Sequence, residues 1–500
     1  MDRATSVSWA RISASASKLG SLVSPRATIA AAVLVGAALW FFVLGPPPAP
    51  GFIRDEASVA YNAYTLSQNL HDQNGGVLPL YLKSFGDYKS PLFPYLLAVV
   101  FRITGPSKHV ALETASVFVF IAIALLGVLA WRRTRSLFAV CAVVVLGALT
   151  PWLYELARTS YETIVEPLTI LLVLLAVDWA YRSPRRPLER AIPVGLALGA
   201  LSYSYAAGRV LAPLLVVALL AAFFRRDRRW TLETIGVYAL TLIPVGIYSL
   251  VHKGALSARF DATTYLRHGM SPSTIVYDFF RNYVTDANLE HWVYSGDPTP
   301  YIHVHGAAQL YVSIVVLAAA GVVLVWRRHR DDPFWWFIVV ALVLSPLPGA
   351  ITDQRNYSFR LLQLPILLLV LAIPALAEVG RSRVAQVAAV ALAVGVGIQF
   401  WHWRDNYYFN NNGRTVLFEG HLPPLLHRAF AGGRTVYVSG DDVYAQTHAL
   451  WYAVTHEISP SRVSTSRPPR GAIEFGRFSS CTGRCTQLGE ADTYWIARAT

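Results

Sequence analysis

Charge is what this 500-residue sequence has least of: only 15% of it is Asp, Glu, Lys or Arg, where soluble domains carry about 25%. With 54% hydrophobic residues and a mean hydropathy of +0.41, an ordinary water-soluble domain is excluded. Acids are scarcer than bases, 30 against 43, which leaves a formal charge of +13. Such an excess can signal nucleic acid, but that would need a basic face on one solvated surface. Here the basic residues fall in short clusters between apolar runs: Arg132-Arg133-Arg135, Arg182-Arg185-Arg186-Arg190, Arg225-Arg226-Arg228-Arg229, Arg327-Arg328-Arg330 and Arg381-Arg383. Membrane insertion produces this distribution, because Lys and Arg are kept in cytoplasmic loops. Nucleic acid is therefore not an expected partner. Also missing are internal repeats, low-complexity segments beyond Pro46-Pro47-Pro48, and any Gly-rich nucleotide cradle in the short loops between apolar runs. Cysteine is rare too, with three residues. Cys141 lies in an apolar run; Cys481 and Cys485 are spaced for either a small-loop disulfide or two free thiols.

What is present is a series of apolar runs near helical membrane length. They read as eleven spans, at 27–45, 110–131, 137–153, 163–181, 191–206, 209–224, 232–251, 307–326, 334–350, 359–378 and 384–400. Arg3, Arg11, Lys18 and Arg26 precede the first, and no small-residue cleavage pattern follows it at a usual distance, so a retained span is expected. With residues 1–26 in the cytoplasm, every arginine cluster falls on the cytoplasmic side. The apolar stretch 90–105 is short and interrupted by Pro91, Pro94 and Arg102, and reads as an interfacial helix on the outer surface. The expected architecture is thus a polytopic α-helical membrane protein with outer juxtamembrane helices. Its membrane domain covers 27–400, with a first outer loop at 46–109, smaller outer segments at 154–162 and 351–358, and a large outer loop at 252–306. The tail, 401–500, turns polar. "RTVYVSG" and "DTYWIARA" alternate like strands and "DVYAQTHALWYAV" reads as a helix, so a small extracytoplasmic α/β domain is expected.

The outer loops hold the chemistry. Asp55-Glu56 follows directly on the first span. A carboxylate at the bilayer surface can accept a proton from an attacking hydroxyl; the plainer reading makes Asp55 a helix N-cap. In "KSFGDYKSP", Lys83 and Lys89 flank Asp87, and an ammonium at this depth suits a lipid phosphate. In "ELARTSYETIVEP", Arg158 and Glu162 stand four apart, as an ion pair on one helical face would, and Glu162 and Glu166 lead into a span. Tyr203, Tyr205 and Arg209 crowd a short outer hairpin. "HWVYSGDPTPYIHVHG" offers Asp297, with His303 and His305 alternating as on a strand, a pattern open to a metal. "TDQRNYSFRLLQLP" places Asp353, Arg355 and Arg360 at the mouth of a span, where a guanidinium could clamp a phosphate.

In order along the chain, these segments resemble the bacterial family 39 glycosyltransferases of the GT-C superfamily, which include protein O-mannosyltransferases and the lipid A aminoarabinose transferase. The resemblance rests on "RDEASVAYNAYTLSQNLHDQNGGVLPL" with "KSFGDYKSPLFPYLLA", then "ARTSYETIVEP", "YSYAAGRVLAPLL", "VYSGDPTP" and "DQRNYSFRLLQLP", and covers roughly 27–400. It implies inverting transfer of a sugar from a polyprenyl-phosphate carrier to an acceptor hydroxyl on protein, lipid or glycan, at the outer face of a bacterial plasma membrane. On that resemblance Asp55 is the catalytic base and Glu56 positions it or the acceptor. Lys89, Arg360 and Arg209 serve the carrier phosphate, and Arg158, Glu162, Asp87 and Asp297 support the site. The chain departs from the family where Ser90 precedes Pro91, where Gln73 follows Asp72, and at Tyr88, where the aminoarabinose branch carries an acid that helps bind a metal. No cofactor is required by this pattern, and a divalent metal is left open. A transporter of lipid-linked saccharides is the competing reading, but it would show paired repeats and interrupted spans. A non-catalytic membrane scaffold would leave the acidic pair unexplained.

Overall fold

The computed structural model describes residues 51–409, 414–439, 442–477, 481 and 483–500, with Val33, Gly36, Ala37 and Trp40 from the first apolar run. The expected 27–45 span otherwise lies outside the described residues, as does the 1–26 segment.

Helices occupy the other ten expected spans, at Lys108–Thr134, Leu137–Leu149, Glu166–Arg182, Pro187–Ser204, Ala206–Phe223, Arg228–Val251, Val312–Arg328, Pro333–Ala350, Gln363–Glu378 and Arg383–Tyr408. Among the described residues, six of the apolar segments are long enough by themselves to cross a bilayer: Lys108–Thr134, Glu162–Arg182, Ala206–Phe223, Arg228–Val251, Pro333–Ala350 and Arg383–Tyr408. Several boundaries depart from the sequence reading, and proline accounts for two internal breaks. Pro244 interrupts Arg228–Val251 at Leu242, and Pro346 interrupts Pro333–Ala350 after Leu344. The helix expected from 137 to 153 ends at Leu149, and Pro151 starts a separate turn, Pro151–Leu156.

Gln363–Glu378 runs through the middle of the bundle, with thirteen of its side chains buried. It packs closely on Val312–Arg328 because Gly321 faces it: a Cβ there would lie 1.7 Å from the Leu371 carbonyl oxygen. The segments Arg228–Val251 and Arg383–Tyr408 form the rim. Leu240, Leu250, Val384, Val390 and Ile398 are exposed there, as suits a lipid-facing surface.

Segment 51–105 opens with helix Arg54–Asn69, followed by a hairpin of β1 (Leu82–Ser84) and β2 (Asp87–Lys89), then helix Leu92–Thr104, where the sequence reading puts a helix. The two-residue hairpin turn, Phe85-Gly86, has both φ angles positive, as hairpin twist requires. Residues 422–499 build a second core on a five-stranded sheet of order β4-β3-β5-β7-β6, where β3 is Val436–Val438, β4 Val463–Ser464, β5 Ile473–Arg477, β6 Cys485–Ala491 and β7 Tyr494–Ala499. β3 pairs in parallel with β4 and β5, whereas β7 is antiparallel to β5 and β6. The strands read in "RTVYVSG" and "DTYWIARA" and the helix Val443–Thr455 are all present. Cys481 and Cys485 form a disulfide.

This α/β unit rests directly on the start of helix Arg54–Asn69 and on the hairpin turn. Phe52 stacks on Trp451, Arg54 lies 5.0 Å from the ring of Tyr444, and Phe85 packs on that same ring. Gly51 permits the contact, since a Cβ would meet the Phe418 carbonyl oxygen at 1.5 Å.

Candidate functional site: a carboxylate beside an arginine-lined cavity

Helix Arg54–Asn69 carries both acids in its first turn, where the helix dipole favours negative charge. They do different work. Asp55 is not the N-cap that the plainer sequence reading makes it; Ile53 occupies that position. Glu56 does the capping. Its Oε2 accepts the Ile53 N–H at 2.9 Å and its Oε1 accepts the Ser160 N–H at 2.8 Å, which ties the start of this helix to segment 154–162. Burial pushes the Glu56 carboxyl up to about 7 despite those two N–H bonds. Asp55 is left free of the backbone and turns to Lys89, whose Nζ lies 3.1 Å from its Oδ1.

The hairpin register explains how Lys89 arrives there. Leu82 faces Lys89 and Ser84 faces Asp87, so Ser84, Asp87 and Lys89 share the buried face. The Ser84 hydroxyl meets Ser58, one helical turn past Asp55, at 2.6 Å. Lys89 thus stands between two carboxylates, with Asp87 Oδ1 at 3.5 Å. Burial would raise the Asp55 carboxyl, but Lys89 beside it, with Arg54 and Arg259, holds it below the usual carboxylate value. Burial works against the Lys89 ammonium, yet Asp55, Glu162 and Asp87 keep it charged. Glu162 accepts the Ser90 N–H, next to Lys89 in sequence.

Asp87 Oδ2 continues the chain of charge to Arg259 Nη1 at 3.5 Å. Arg259 lines a cavity of about 310 Å³ together with Arg209, Arg360, Tyr205 and Thr352. Arg209 comes from the start of helix Ala206–Phe223, Arg259 from the short helix Ala258–Thr263, and Arg360 from a single 3₁₀ turn, Ser358–Arg360. Arg360 is held by Thr352 Oγ1 at 2.6 Å and Gln354 Oε1 at 2.8 Å, with its guanidinium 4.9 Å from the Tyr357 ring. Three guanidiniums around one cavity make a place for a polyvalent anion. Beside the segment that carries Arg360, Tyr161, Phe359 and Tyr357 form an aromatic cluster, with neighbouring ring centroids 5.1 and 5.8 Å apart. The Tyr161 hydroxyl is buried without a hydrogen-bond partner among the described residues.

The structure therefore groups Asp55, Lys89, Asp87 and Glu162, and gathers Arg209 and Arg360 around the cavity. It does not group Arg158 with them. The expected Arg158–Glu162 ion pair is not made, because the helix ends at Leu156 and i, i+4 spacing no longer means proximity. Arg158 instead donates to Ser116 and to the Trp40 carbonyl, with its guanidinium 4.5 Å from the Tyr154 ring. Asp297 accepts the Ser358 and Thr299 N–H groups, so it braces the segment that carries Arg360. His303 is no metal ligand here: both ring nitrogens are engaged, by Glu155 at 2.6 Å and the Ala307 carbonyl at 2.9 Å. Among the described residues no cluster of three or more His, Cys, Asp or Glu is placed to hold a metal. Between Asp55 and Asp87, where a cation would sit, stands the Lys89 ammonium. These residues do not form a metal cradle.

Arg259 was not legible in the sequence. It is one of several lone cations in the large outer loop, beside Lys253, Arg267 and Arg281, and only the folded chain brings it to Asp87. Tyr161 and Tyr357 lay inside motifs whose charged members drew the attention.

No protein-family profile and no curated protein matches this sequence. Solved structures do match its shape. ArnT from Cupriavidus metallidurans bound to undecaprenyl phosphate superposes with a TM-score of 0.59 at 11% identity, over 95% of this chain and 98% of that one. Its apo form gives 0.57 at 12%, over 94% and 97%. The Archaeoglobus fulgidus oligosaccharyltransferase, in complex with Zn and sulfate, gives 0.52 at 13%, over 85% of this chain and 61% of that one. At such identities the likeness is one of fold: the chain has the fold seen in these ArnT and oligosaccharyltransferase structures.

Proposed function

We propose that this chain is a membrane glycosyltransferase that moves a sugar from a polyprenyl-phosphate carrier to an acceptor hydroxyl at the outer face of a bacterial plasma membrane. In this reading residues 1–26 are cytoplasmic, 27–400 form the catalytic membrane domain, and 401–500 form an extracytoplasmic domain. The observation that supports it best is the charge chain Asp55–Lys89–Asp87–Arg259, which begins at a part-exposed carboxylate and ends in the arginine-lined cavity. One end suits a proton acceptor and the other an anionic leaving group, which are the two ends of one substitution. The undecaprenyl phosphate bound to the ArnT structure is a ligand of the class such a cavity suits.

The reaction then runs as follows. Asp55 takes the proton of the acceptor hydroxyl as its oxygen attacks the anomeric carbon. The bond from that carbon to the phosphate oxygen breaks, its electron pair goes to the phosphate, and the configuration inverts. Arg209, Arg259, Arg360 and Lys89 stabilise the charge growing on the phosphate. Glu56 acts by fixing the helix start that aims Asp55.

Asp55→Asn tests this directly. The purified variant in lipid nanodiscs is expected to lose about 10²–10⁴-fold in sugar transfer from a labelled undecaprenyl-phosphate-linked donor. It should stay folded with only a modest drop in melting temperature, because Asp55 holds no backbone group and the Lys89 ammonium that loses it keeps Asp87 beside it. Transfer at the native rate would end the proposal.

A further inference from the structure

Segment 351–360 carries Ile351, Thr352 and Arg360 to the cavity, yet its only regular structure is the 3₁₀ turn Ser358–Arg360. Its shape must be imposed by neighbours. Helix Pro272–Ala287 imposes it with two side chains one turn apart. Asn282 Nδ2 donates to the Thr352 carbonyl at 2.8 Å, and its Oδ1 accepts from Arg355 Nε at 2.9 Å. Asp286 Oδ1 accepts the N–H of Asn356 at 2.7 Å.

Asn356 is the position where help is needed. Its φ of 53° lies in the left-handed region, which Asn tolerates better than most residues but does not prefer. The turn at Gly349 is fitted to the same carboxylate: a Cβ at Gly349 would lie 2.3 Å from Asp286 Oδ2. Asp286 is 1% exposed, its Oδ2 has no hydrogen-bond partner among the described residues, and it does not line the cavity. A buried carboxylate with one oxygen unsatisfied is costly. Stability alone would favour a residue without that charge.

We infer that Asp286, seconded by Asn282, is a positioning residue of the phosphate cavity: by holding the Asn356 N–H in the left-handed turn, four residues before Arg360, it sets where Arg360 points. This inference rests on the reading of that cavity as the carrier-phosphate site. It implies that a residue outside the cavity governs affinity for the carrier through one backbone bond.

The experiment measures binding of undecaprenyl phosphate, against undecaprenol as control, to the purified full-length chain in nanodiscs. Asp286→Ala, checked for folding by size exclusion and thermal unfolding, is expected to bind undecaprenyl phosphate at least about tenfold more weakly. Asp286→Asn keeps an oxygen for the Asn356 N–H and is expected to restore affinity to within about threefold. A role in folding alone would lower the melting temperature of Asp286→Ala and leave that affinity untouched. Native affinity in a folded Asp286→Ala, or an Asp286→Asn as weak as Asp286→Ala, overturns the inference. Should Asp286→Ala not fold, Asn282→Ala carries the test: weaker binding supports the clamp and native binding overturns it. If the native chain itself does not prefer undecaprenyl phosphate to undecaprenol, the phosphate reading of the cavity is what has failed, and the inference falls with it.

Discussion

Two charge clusters lie at opposite ends of the helix bundle, and only one of them closes on itself. At the arginine-rich end, Asp178 is fully buried and engages Arg132 Nε at 2.6 Å, Arg133 Nη1 at 3.0 Å and Arg182 Nε at 3.1 Å. Arg133 goes on to Asp332 and lies against the rings of Phe334 and Trp335. Both Asp178 oxygens are taken, and the cluster joins the helices Lys108–Thr134, Glu166–Arg182 and Pro333–Leu344 at one point. At the other end Lys89 is also set among acids, but the chain continues through Asp87 and Arg259 into a cavity with two further guanidiniums. A network whose charges all find partners within the protein fixes helices relative to one another. One that ends in a cavity holds charge in reserve for a ligand.

The sharpest way to break that contrast is to cut each network once. Asp178→Ala takes a shared carboxylate from three guanidiniums, of which Arg133 is buried and keeps only Asp332, and losing one partner of a buried ion cluster costs about 3–5 kcal/mol. The variant should melt far below the native chain or fail to purify as a single species. Arg259→Ala should do the reverse. Its side chain is 39% exposed and tied by one 3.5 Å contact, so the melting temperature should hardly move. Undecaprenyl phosphate affinity should nonetheless fall about tenfold or more, as when a charge-assisted hydrogen bond is lost. Were Arg259→Ala to unfold the protein while Asp178→Ala left it intact, the division into a closed and an open network would be wrong.

Glu56 lies at the border between the two kinds of role, and one substitution decides which it has. Its two oxygens accept two N–H groups, from Ile53 and Ser160. Gln offers one acceptor and turns an NH₂ toward the other donor. A buried donor left unsatisfied costs about 1–3 kcal/mol. Glu56→Gln should therefore lower the melting temperature while carrier affinity stays native. A native melting temperature with lost transfer would instead move Glu56 into the chemistry.

How much of this could be read from the sequence follows the range of the forces involved. The apolar runs are local, and helices lie where ten of them stand. The strands at Val436–Val438 and Tyr494–Ala499 were legible for the same reason, since alternation is a neighbour-to-neighbour pattern. Asp55, Lys89 and Arg360 drew attention because they stand at the ends of apolar segments. The error at Arg158 and Glu162 came from extending helical spacing across a helix end that Leu156 gives no sign of. Arg259 and Asp286 were out of reach, since each matters only through a partner supplied by the fold: Asp87, 172 positions away, and Asn356, 70 positions away. Asn282 and Asp286 do stand four apart on one helical face, but so do many solvated pairs.

The smallest expected effect concerns pH, and it separates the buried acids from the one that faces the cavity's charge chain. Burial pushes Glu56, ordinarily at 4.5, and Asp286, ordinarily at 3.8, up to about 7. The folded chain then keeps protons that the unfolded chain has released, so stability falls as pH rises from about 4 through 7 and levels off above. Asp55 has the opposite sign. Burial is outweighed by Lys89, its value is lowered, and its contribution is present above 3.8 and lost only as pH falls below that. The two windows therefore meet near pH 4. Between pH 5 and 7.5 the melting temperature of the native chain should decline. Asp286→Asn, which cannot ionise, should flatten part of that decline, whereas Asp55→Asn should leave it unchanged. A decline that survives in Asp286→Asn and disappears in Asp55→Asn would mean that Asp55 is the acid carrying the burial cost, and that Lys89 does not compensate it in the folded protein.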